Sequence, residues 1–138
     1  MTVATDFVVD ISDSTDIVTA RQAGHELARQ LGFSLTDVTM IATAISEIAL
    51  NITSYAGHGE IRIGVQLRDG RQALVVYAED DGPGIADVER AMEDGYSTGR
   101  GLGLGLPGAR RLMDRLQIES RPGRGTVIEM WKWVPDDG

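Results

Sequence analysis

Residues Gly95–Gly108 read GYSTGRGLGLGLPG, with glycine at Gly95, Gly99, Gly101, Gly103, Gly105 and Gly108. Glycine loses more backbone freedom on folding than any other residue. Such a run is either a flexible loop or a segment whose backbone must come close to something. Leu102, Leu104 and Leu106 interleave with the glycines, and the amphipathic stretch PGARRLMDRL follows. Gly103, Gly105 and Gly108 have G-x-G-x-x-G spacing. Unhindered backbone amides at a helix N-terminus form an anion site, and a phosphate chain is its natural guest.

Common phosphate folds do not fit the surroundings. A dinucleotide fingerprint needs a strand just before its first glycine, and EDGYSTGR does not read as one. A P-loop needs Gly-Lys-Ser/Thr, but the only lysine is Lys132, near the C-terminus. The strand lysine, H-R-D loop and D-F-G of eukaryotic-type kinases are also missing.

Outward from the glycines, FVVDI (Phe7–Ile11) reads as a strand. A helix follows, with Ser14 as its expected N-cap and Gly32 as its end. Ser34 or Thr36 caps a second helix, which runs to about Tyr55 and stops at GHG (Gly57–Gly59). EIRIGVQL and QALVVYAED flank an Asp-Gly turn and predict a hairpin. After DDGPG comes a weakly helical piece near 86–93, then the glycine stretch and the helix PGARRLMDRL. QIESR, the turn PGRG and TVIEMWKW predict a second hairpin. Hairpins with helices in separate blocks predict an α+β two-layer sandwich, a mostly antiparallel sheet with helices on one face.

The chain has 138 residues, which predicts a single domain over 1–138, and 42% hydrophobic residues, enough for a core. A net charge of -8 argues against nucleic acid as partner. With no cysteine there is no thiolate nucleophile and no disulfide framework. His25 and His58 do not make a metal site by spacing. We read no signal peptide and no membrane span, and expect a cytoplasmic protein without a membrane partner. Trp131 and Trp133 share one face of the last strand, and core packing is expected for at least one of them.

Two further motifs carry chemistry. Asp80-Asp81-Gly82-Pro83-Gly84-Ile85 ends a predicted strand. It is either a tight turn or a carboxylate placed to accept from an adenine amino group, with glycines that admit the base. In the second helix, Ile41, Ile45, Ile48, Ile52 and Tyr55 form an apolar stripe. Glu47 and Asn51 lie one turn apart on a neighbouring stripe, with Thr43 and Ser54 alongside. Such a stripe is either a solvated face or a base beside a magnesium ligand.

Taken in order, Glu47-x-x-x-Asn51, Asp80-x-Gly82-x-Gly84, Gly101-x-Gly103-Leu104-Gly105-Leu106 and Gly125-Thr126 resemble the GHKL ATPase superfamily of gyrase, Hsp90, histidine kinases and MutL. The chain looks like that superfamily's small stand-alone bacterial serine/threonine kinases, those of the stressosome first and the anti-sigma kinases next. The resemblance implies the Bergerat ATP-binding fold, ATP or ADP as ligand, and Mg²⁺. It implies that Asn51 holds the metal and Asp80 the adenine amino group, with Gly82, Gly84 and Thr126 supporting the base. Gly101, Leu102, Gly103, Leu104 and Gly105 would wrap the phosphates. Glu47 would be the general base, and Arg100 is the candidate cation for the transferring phosphoryl group. The implied partners are STAS-domain antagonist and scaffold proteins bearing the acceptor Ser or Thr, and then a downstream regulator such as a phosphatase. Two rival readings are an anti-sigma factor that sequesters a sigma subunit and an ATP-gated binding module without transferase activity.

Overall fold

The computed structural model describes residues 4–83, 105–121 and 123–135. Its elements are β1 (Ala4–Ile11), α1 (Ser14–Gln30), α2 (Leu35–Tyr55), β2 (Gly59–Arg68), β3 (Arg71–Asp80), α3 (Gly105–Leu112), β4 (Arg115–Arg121) and β5 (Gly125–Trp133). The expected helix near 86–93 lies outside the described residues, as do Gly84, Arg100, Gly101, Leu102, Gly103 and Leu104.

The cap of α1 is Asp13 and not Ser14. The Asp13 carboxylate accepts from the N–H groups of Thr15 and Asp16, and Asp16 bonds back to the Asp13 N–H. A carboxylate at this position satisfies two orphan donors and opposes the positive end of the helix dipole. Ser14 is thereby already inside the helix. Ser34 caps α2 as expected, accepting from the Asp37 N–H.

Along α2, Ile41, Ile45, Ile48 and Ile52 are fully buried, joined by Ala42, Ala44 and Ala49. Tyr55, assigned to the same stripe, is 46% exposed, because the last turn runs past the core. By length and hydropathy alone α2 could cross a bilayer. Here it is the central core helix, packed against α1, α3 and the sheet.

The five strands form one sheet in the order β1-β2-β3-β5-β4, and each neighbouring pair is antiparallel. The β2–β3 turn has Asp69 and Gly70 both at positive φ, 51° and 77°, as a two-residue hairpin requires. Ile61, Ile63, Leu74, Val76, Ala78, Ile128 and Met130 face the three helices and share their core. Ala73, Val75 and Trp131 form a small second cluster on the opposite face.

The helix PGARRLMDRL stops at Leu112, earlier than its pattern predicts, and β4 begins at Arg115 instead of Gln117. Pairing with β5 takes over: Arg115 sits opposite Trp131 and Leu116 opposite Met130. The Asp114 N–H donates to the Trp131 carbonyl. Lys132, the one lysine, donates from Nζ to the Leu112 carbonyl at 3.0 Å. It therefore serves as a cation at a helix C-terminus.

Candidate functional site

At one end of the sheet, register places Gly59, Asp80, Thr126 and Ser120 side by side in one transverse row. Two residues along each strand lies the row Ile61, Ala78, Ile128 and Ile118, which packs in the main core. Side chains alternate faces with period two, so the polar row lies on the helix side, where the helical cover ends.

Asp80 is half-buried, and its Oδ1 accepts from the Gly82 N–H at 3.0 Å. Burial pushes its carboxyl above the usual aspartate value, and the neighbouring Asp81 and Glu79 push the same way. The backbone N–H groups of Gly82 and Thr126 oppose that rise. Thr126 is 5% exposed. Its Oγ1 lies 2.8 Å from Ser120 Oγ, which also donates to the Gly125 carbonyl at 3.1 Å.

Close approach requires glycine at Gly82 and Gly125, as it does at Gly59 below. A Cβ on Gly82 would lie 2.5 Å from the Ala56 Cβ, so the loop after β3 rests on the end of α2. Gly125 has φ +92°, and a Cβ there would collide with the Asp80 carbonyl oxygen. Only glycine fits a position that combines positive φ with such contact. The Gly123 N–H donates to the Pro83 carbonyl at 2.6 Å, tying the β4–β5 turn to the same loop.

From α2 come Glu47, 6% exposed, and Asn51, half-buried. They lie one turn apart, about 6 Å along the axis. The solvated-face alternative for Glu47 does not hold. Ile52, next to Asn51, packs over Gly59: a Cβ built there would be 2.9 Å from Ile52 Cγ2 and 3.1 Å from Asp80 Cβ. The end of α2 thus sits over the row that carries Asp80. Gly105 opens α3, which packs on α2.

A cleft of about 800 Å³ opens at the row, lined by Asp80, Ser120, Gly125, Thr126, His58 and Arg124 among others. It does not reach Glu47 or Asn51, and it continues round the sheet end to Glu60, Glu79 and Glu119. Gly59 and Arg124 were read only as part of a helix stop and a turn, and Ser120 only as part of a strand. Register brings Gly59 and Ser120 into the row with Asp80 and Thr126, and Arg124 precedes Gly125 in the turn.

The family profile described as "Histidine kinase-, DNA gyrase B-, and HSP90-like ATPase" matches residues 36–136. The chain belongs to this ATPase family. Among family relatives, it is 50% identical over 126 residues to "Serine/threonine-protein kinase RsbT" of Bacillus subtilis (strain 168), covering 91% of this chain and 95% of the relative. It is 32% identical over 130 residues to an "Anti-sigma F factor" of Caldanaerobacter subterraneus subsp. tengcongensis, covering 90% of each. A similar factor from Thermoanaerobacter sp. (strain X514) is 29% identical over 131 residues, covering 92% of each. The fold matches that of a "Mycobacterial sensor histidine kinase MprB" with a TM-score of 0.56 at 18% identity, covering 92% of this chain and 96% of that one. The α+β sandwich read from the sequence is therefore the family's fold. These findings make the chain an ATP-binding serine/threonine-protein kinase.

Proposed function

We propose that this kinase transfers the γ-phosphoryl group of ATP to a Ser or Thr of a STAS-domain partner. It works in a stress-response switch of the stressosome kind, as a single cytoplasmic domain over 1–138. Phosphorylation adds about −1.5 to −2 charge to the partner and so releases the kinase, which then engages a downstream regulator such as a phosphatase. The observation that carries the reading is the half-buried Asp80 carboxylate in a polar row beneath the end of α2, the helix that buries Glu47.

Asp80 accepts from the adenine amino group, and Gly82, Gly84 and Thr126 support the base. Gly101, Leu102, Gly103, Leu104 and Gly105 hold the phosphates with backbone amides, and Arg100 meets charge developing in transfer. Among the described residues no three His, Asp or Glu side chains gather to hold a metal. An amide oxygen from Asn51 beside one carboxylate fits Mg²⁺, which takes few protein ligands and completes its shell from phosphates and water. When bound, Mg²⁺ supplies charge neutralisation on the phosphates. The Glu47 carboxylate takes the proton of the incoming hydroxyl as that oxygen bonds to phosphorus. The bond to the bridging oxygen breaks and ADP leaves.

The test is label transfer from radioactive ATP, with Mg²⁺, onto purified STAS-domain proteins of the same organism. A Glu47→Ala control runs beside it. Label on Ser or Thr only with Glu47 intact supports the reading. Tight nucleotide binding without transfer favours the ATP-gated binding module. The similarity to anti-sigma F factors supports a second reading, sequestration of a sigma subunit. Capture of a sigma subunit, with no STAS protein, would decide for it.

A further inference from the structure

Among the contacts of the Ser120 hydroxyl are the Gly125 carbonyl at 3.1 Å and Thr126 Oγ1 at 2.8 Å. A carbonyl only accepts, and a serine hydroxyl has a single proton to give. Either hydroxyl could donate in the shorter contact, and where Ser120 gives its proton to Gly125 the donor there is Thr126. Thr126 then has no proton left for the cleft it lines and offers lone pairs there. Asp80, its neighbour in the row, is an acceptor when ionised. In that arrangement the row presents acceptors to a bound base, a pattern set from the adjacent strand β4.

We propose that Ser120 is a specificity-determining positioning residue. By taking the Thr126 proton it makes this end of the site accept hydrogen bonds, so that a 6-amino purine is favoured and a 6-oxo purine is rejected. A 6-oxo group is itself an acceptor and would face Asp80 and Thr126 without a proton between them. Sites that pair buried polar groups with a donor discriminate through the groups left unpaired by the wrong ligand. The inference rests on the reading of Asp80 and Thr126 as the base-binding end.

The test is calorimetric titration of the full chain with ATP and with inosine triphosphate, for wild type, Ser120→Ala, Ser120→Thr and Asp80→Asn. Wild type is expected to prefer ATP. In Ser120→Ala the Thr126 hydroxyl is free to turn and donate to the 6-oxo group. The preference should narrow about threefold to tenfold, the worth of one hydrogen bond. Ser120→Thr keeps the acceptor and should keep the wild-type ratio, which a merely structural role for Ser120 would not demand. A Ser120→Ala ratio within about twofold of wild type, a change smaller than one hydrogen bond, overturns the proposal. So does an equal narrowing in Ser120→Thr. If Asp80→Asn binds ATP as well as wild type, the base lies elsewhere and the site reading falls with the proposal. If Asp80→Asn loses ATP while Ser120→Ala keeps its ratio, only the role of Ser120 falls.

Discussion

The two faces of the sheet are covered by different means. On one face, Ile61, Ile63, Leu74, Val76 and Met130 are sealed by three helices. On the other, no helix packs among the described residues, and long cations lie over the aromatic rings. The Arg68 guanidinium is 4.2 Å from the Trp131 ring centre and 3.3 Å from Glu129. Arg115 stands 5.9 Å from the same ring, and Arg71 4.7 Å from that of Trp133. Such side chains shield apolar surface with their stems while their charged heads stay wet. Trp131 is 8% exposed as a result. Within the described strands, buried polarity is kept to the end of the helix-covered face, where half-buried Asp80 and buried Thr126 stand opposite each other on β3 and β5. Directly behind them, Glu60, Glu79, Val127 and Glu119 share the next row of the open face, and Glu79 helps to raise the Asp80 carboxyl.

The comparison predicts chemistry on one face and only stability on the other. Glu47→Gln should slow phosphate transfer by about 10²–10⁴ with ATP affinity kept; an unchanged rate in a transfer assay would remove the chemical distinction. Trp131→Ala should cost about 3–5 kcal/mol in urea unfolding, yet the folded fraction should still bind ATP. Lost ATP affinity at full folding would show that the faces are coupled.

Asp80→Asn should separate binding from stability. A carboxyl raised in the folded state favours folding when protonated, so its contribution is fully present below the ordinary value of 3.8 and is lost as pH rises through the raised value. The variant should therefore lose ATP binding while gaining on wild type in melting temperature across that rise. Melting curves that run parallel across that interval would contradict the burial of this charge. Arg68→Ala should have the smallest effect, about 1 kcal/mol or less, with ATP titration unchanged.

Much of the fold was legible because its signals are local. The Asp69-Gly70 turn, the Ser34 cap and the isoleucine stripe of α2 each act within a few residues. The boundary between α3 and β4 was not legible, since pairing of Arg115 and Leu116 with β5 overrides a helical pattern. Asp13 hid beside a good capping serine because both residue types satisfy the same rule. In the candidate site, Glu47 and Asn51 could be read from helical spacing and Asp80 from its place before two glycines. Ser120 and Gly59 could not, because their relation to Asp80 exists only through the register of three strand pairs.

The pairing of β3 with β5 has a consequence for the order of folding. β1 and β2 pair across a loop that holds α1 and α2, and β3 and β5 pair across one of similar length that holds α3 and β4. Both closures are slow, and the β3–β5 seam closes later because β5 is made after the other strands described. Asp80 and Thr126 stand on opposite sides of that seam. A chain still being synthesised, with β5 not yet made, has Glu47, Asn51 and Asp80 but no complete row for a base. A nucleotide bound at this row, as proposed, would grip only the finished seam and should act as a latch that slows its reopening.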